Sequence, residues 1–103
     1  MQIDFTQAIT AKDKAARAAM DRAASLKRDC ADRIIAVLDE RTLLNIQGAA
    51  IAGKLEEAEM EVFRSGRQWV DDMLDACRAG IMAGKEPVWP AVPPGVVDLA
   101  ARF

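Results

Sequence analysis

A chain of 103 residues, with 14 Lys and Arg against 16 Asp and Glu and no histidine, has the size of one small domain whose folding leaves much of its surface in water. The missing histidine removes the commonest general base and every Ser-His or Cys-His nucleophile pair. The near-balanced charge of −2 lacks the basic stripe of proteins that track phosphates. The apolar share of 51% includes many alanines. Alanine buries little, so a partner or a second copy is expected to supply the missing core.

Residues 1–9, MQIDFTQAI, read as an extended N-terminal arm in which Phe5 and its apolar neighbours can anchor on a surface. Thr10 then stands three residues before Asp13, a variant of the capping box, which sets the start of the first helix. From Ala11 to about Ile46 nearly every residue is a good helix former and none is proline, predicting one long helix. Its apolar stripe runs through Met20, Ala23, Leu26, Cys30, Ile34, Val37, Leu38 and Leu44 at helical spacing. The stripe is alanine in its first half and bulky in its second. A thin, exposed N-terminal end and a true core from Leu26 onward are therefore expected. Such a helix would be about 54 Å long, whereas a compact 100-residue domain has a radius of gyration near 13 Å. The helix must project beyond its own globule, with its alanine stripe left for a coiled-coil copy or a docked partner to cover.

Asn45 to Gly48 suits a helix end, so a second helix is expected over about 49–63 and a third over about 67–83, divided at Ser65–Gly66. The small residues around Ala49 and Gly53 suggest a tight crossing against the first helix. In the third helix Trp69, Val70, Met73, Leu74, Cys77, Ile81 and Met82 form one apolar face. Gly80 weakens that helix and Gly84 ends it. Beyond lies KEPVWPAVPPGV, which holds all four prolines and reads as an extended strap over residues 85–95, before a short C-terminal turn that reaches Phe103. The predicted fold class is all-α: a long N-terminal helix, a short helical hairpin within a helical domain over 10–84, and an extended Pro-rich segment over 85–103.

Few constellations suggest chemistry. Gly48, Gly53 and Lys54 imitate the skeleton of a phosphate-binding loop, but Leu55 stands where Ser or Thr must hold magnesium, and no strand precedes it. Cys30 and Cys77 read as reduced core thiols, with a disulfide staple as the alternative. Two cysteines without histidine make no zinc site. The acids of residues 56–61 and 71–75 read as solvated helix faces. No catalytic residue, cofactor or metal is expected. No stretch approaches the roughly 20 apolar residues of a membrane span, and the N-terminus lacks a signal pattern, so a soluble, intracellular protein is expected. Trp69 is either core or partner contact. Trp89, between Pro87 and Pro90, either folds back on the bundle or serves as an interface anchor, a role in which Trp is enriched. The candidate interaction residues are thus Phe5, Met20, Ala23, Leu26, Trp69 and Trp89.

Two stretches, ITAKDKAARA near the start and RQWVDDMLDACRAGIMAGKEPVWPAVP near the end, are similar to small tail-associated proteins of tailed bacteriophages and prophages. These include tail fibre assembly proteins and tail assembly chaperones, in which an ITAE-type cap precedes an alanine helix and a Trp-containing helix ends in Gly and a Pro-rich tail. Lys12 stands where such sequences often have an acid. The resemblance implies a phage setting and a protein partner, namely a tail or tail-fibre protein, met in the host cytoplasm during assembly or in the virion tail. The function expected is non-enzymatic, acting by protein–protein contacts in a homo-oligomer or hetero-complex. The alternative is a small nucleic-acid-associated phage module for packaging or regulation.

Overall fold

The computed structural model describes the backbone from Gln2 to Phe103 and the side chains from Thr10 onward. Four helices follow one another: α1 (Gln2–Val37), α2 (Glu40–Ile51), α3 (Glu57–Ala83) and α4 (Val96–Ala101). No strand occurs among the described residues. The fold is all-α, with a long N-terminal helix followed by shorter ones. The principal extents of 72 × 22 × 18 Å and radius of gyration of 20.0 Å far exceed the roughly 13 Å of a compact domain of this size. A rod projects from a small bundle.

The long helix has the expected length of 36 residues, but it is displaced toward the N-terminus. Its backbone is already helical at Gln2, so the extended arm and the cap at Thr10 give way to continuous helix. Thr10 is an interior residue. The side chain of Phe5 lies outside the described residues.

At the other end α1 stops at Val37, well before Ile46, because Asp39 starts a new helix. Its backbone is extended (φ −73°, ψ 164°), and its carboxylate accepts the Thr42 amide at 2.7 Å, satisfying one of the donors that a helix start leaves unpaired. Leu38, just before the cap, is buried and holds the bend against the core.

The helices expected over 49–63 and 67–83 are also redrawn. α2 ends at Ile51, and Gly53 takes the left-handed conformation (φ 70°) that closes its C-terminus. Nothing lies within 4 Å of a Cβ built on Gly48 or Gly53, so no tight crossing forms there. α3 restarts at Glu57 behind Glu56, whose amide donates to the Glu59 carboxylate at 2.9 Å. It then runs without a break through Ser65 and Gly66. Gly66 is a packing site: a Cβ there would lie 3.3 Å from Leu38 Cδ1 and 3.5 Å from Val96 Cγ2. Gly84 ends α3 in the left-handed conformation (φ 65°), as the sequence predicts.

Helices α1 and α3 pack antiparallel. Leu38 lies against Gly66, Cys30 against Met73, and Arg22 against Gly84. The short α4 touches all three other helices, and its Val96 and Leu99 are buried. With Leu26, Ile46, Trp69, Met73 and both cysteines they make one core cluster. Of the face predicted for α3, Met82 lies in solvent, 88% exposed, and Leu74 is exposed at 38%.

The proline-rich residues do not form a tail. They lack regular structure over 85–95 but return along α3. Pro87 is buried, with its Cγ 2.7 Å from where a Gly80 Cβ would stand. Gly80 is the landing site for that ring rather than a weak point of the helix.

Candidate interaction surface

Helix α1 has two halves. From Leu26 to Val37 its stripe of Leu26, Cys30, Ile34 and Val37 packs into the core cluster. Each step of three or four residues returns to the same helix face. The same stripe continues backward through Ala23, Ala19 and Ala16, but residues 10–22 are all exposed. The cover ends where α3 ends. Arg22 reaches that point, its guanidinium nitrogen 3.5 Å from where a Gly84 Cβ would stand. Beyond it, among the described residues, Met20 is the one large apolar side chain, 72% exposed, among Lys12, Asp13, Lys14, Arg17 and Asp21.

The predicted interaction residues separate on this framework. Met20 lies on the uncovered rod, and Ala23 is half-buried at its base. Leu26 and Trp69 belong to the core, and the Trp69 indole Nε1 donates to the Pro90 carbonyl oxygen at 3.1 Å. That bond fastens the proline segment to α3 and satisfies the one polar atom the indole carries. Trp89 folds back, half-buried against the core cluster. The Arg33 guanidinium carbon lies 5.0 Å from its ring centroid, and Asp29 holds Arg33 from the other side through Nε at 3.1 Å. Cation–π contact and an i, i+4 ion pair thus share one guanidinium.

Two features go beyond the sequence reading. On α2, Leu44, which its spacing assigns to the apolar stripe of the long helix, is instead 66% exposed and Ile51 81%, one turn to either side of Gly48. The adjacent Leu43 and Leu44 are the signal for this, since consecutive helical residues cannot share a face. The second feature is a groove of about 340 Å³ between α1, the start of α2 and α3, lined by Ile34, Ile35, Leu43, Val70, Leu74 and both cysteines. Burial pushes the Cys30 thiol up from its ordinary range, and the nearby Cys77 and Asp29 add to that.

Among the described residues no group of three or more His, Cys, Asp or Glu is placed to hold a metal ion. No helix among them is long and apolar enough to cross a membrane. Comparison with protein families, curated proteins and solved structures finds none that this chain matches.

Proposed function

We propose that the protein is a non-enzymatic helical interaction module that uses a small bundle to hold a rod, and that the rod docks on another helix. The observation that carries this reading is the division of α1. One continuous stripe is buried from Leu26 onward and uncovered over residues 10–22. Small side chains allow a second helix to approach toward the short end of the usual 8–10 Å interaxial range. Residues at i, i+3, i+4 and i+7 are the anchors used when a helix lies in a groove. Ala16, Ala19, Met20 and Ala23 have that spacing.

The setting we propose is tail or tail-fibre assembly in a tailed bacteriophage or prophage, with the partner a tail or tail-fibre protein met in the host cytoplasm. The resemblance of ITAKDKAARA and of the Trp-containing segment before the prolines supports that setting. The bundle would act as a grip, with Trp89 and Pro87 closing its open side while the rod reaches outward.

Co-expression with the tail and tail-fibre proteins of the same phage tests this. The wild-type chain is expected to elute with one of them, and the double variant Ala16→Glu, Ala19→Glu to elute alone with unchanged helical content and melting temperature. Equal association of both proteins, or of neither, would overturn the reading.

A further inference from the structure

Cys30 and Cys77 are the only cysteines of the chain, both unpaired and buried. Neither takes part in the docking reading above. The fold brings them from two helices to one place. The Cys30 thiol donates to the Met73 carbonyl oxygen at 3.6 Å. That carbonyl is one turn before Cys77 and is the i−4 acceptor of the Cys77 amide in the α-helical pattern. Burial raises the Cys30 thiol, and the nearby Cys77 adds to that. Both residues line the same groove of about 340 Å³, whose other walls are mainly aliphatic. That volume admits a water-sized reagent.

We propose that Cys30 and Cys77 form a thiol modification site that hydroperoxide converts into an intramolecular disulfide stapling α1 to α3. One cysteine, as thiolate, attacks the peroxide O–O bond and takes up one oxygen as sulfenic acid. The other oxygen leaves as hydroxide and is protonated to water. The second thiolate then attacks that sulfur, the S–S bond forms, and the sulfenic oxygen leaves as the second water. Two thiols are oxidised, one hydrogen peroxide is reduced, and no further reactant is needed. The neighbouring thiol, held by the helix pair, intercepts the sulfenic acid before a second peroxide can. The staple ties the packed half of α1 to the middle of α3 and constrains the unfolded chain between them.

The test treats the native full-length protein with hydrogen peroxide, alkylates the remaining thiols and maps the peptides without reduction. A Cys30–Cys77 cross-link within the monomer is expected, reversible by dithiothreitol, with a higher melting temperature for the oxidised protein. Cys30→Ser is expected to give no staple and to leave a Cys77 sulfenic acid that dimedone traps. If that variant does not fold, Cys77→Ser and the wild-type map carry the same test. Three outcomes would overturn the proposal: thiols that stay reduced while the urea-unfolded chain oxidises, oxidation that runs on to sulfinic acid, or disulfides formed only between chains.

Discussion

Residues 10–22 and residues 26–37 belong to one helix, yet one stretch stands in solvent and the other contributes Leu26 and Cys30 to the core. Their helix formers are similar, and what separates them is side-chain size. Ala16 and Ala19 occupy the turns of the stripe that Leu26, Cys30 and Ile34 occupy further along. Propensity is enough to continue a helix once packing has fixed part of it. It is not enough to create a core. The difference teaches that α1 is anchored at one end and offered at the other.

The largest expected effect comes from the anchored end. Met73 is 1% exposed beneath that half of α1, and Met73→Ala should cost about 2–5 kcal/mol, read as a fall in melting temperature on heating. Met20→Ala should change stability by no more than about 0.5 kcal/mol. Equal effects at the two positions would break the comparison. Next in size is Gly80→Ala. Its Cβ would meet the Pro87 ring at 2.7 Å and the Lys85 carbonyl oxygen at 3.0 Å, and neither a ring nor a backbone atom yields as a flexible side-chain end does. Overpacking of this kind costs about 1–3 kcal/mol, and Trp89 fluorescence should shift as the returning segment lifts.

A smaller effect should follow pH through Asp39, where α1 gives way to α2. The Thr42 amide, with the Thr42 side chain, holds the Asp39 carboxyl below its ordinary range. A lowered folded value means that this contribution is complete above the unfolded carboxylate range and is lost as pH falls through the folded value. Thermal melts through the acid range should show stability falling in the wild type. Asp39→Asn, which keeps an oxygen for the amide but no titrating charge, should lose that part of the dependence.

Much of the architecture was legible in the sequence. The gradient from alanine to bulky residues predicts where cover begins, and the first buried position among the described residues is indeed Leu26. The left-handed Gly84 and the period of Trp69, Met73 and Cys77 are local or periodic signals, and they place the end and the buried face of α3. Helix boundaries elsewhere were harder to read for physical reasons. Gly66 reads as a break by propensity, yet its role is set by Leu38 and Val96, which come from distant parts of the chain. Asp39 carried a readable cap signal, an acid three residues before Thr42 followed by Glu40. It was masked by the strong helix formers on both sides. Of the five candidate interaction residues whose side chains are described, Met20 alone is a large side chain on the uncovered rod. Leu26 and Trp69 show the same apolar period that any core residue shows, and period alone does not say whether the chain itself covers them.

Residue-resolved hydrogen exchange on the monomeric full-length chain tests the division of α1 most directly. Amides of residues 27–37 should exchange only with opening of the bundle, and those of residues 10–22 much faster, through fraying of the uncovered rod. Protection of both stretches to the same degree in a monomer would contradict a helix that is anchored at one end and open to a partner at the other.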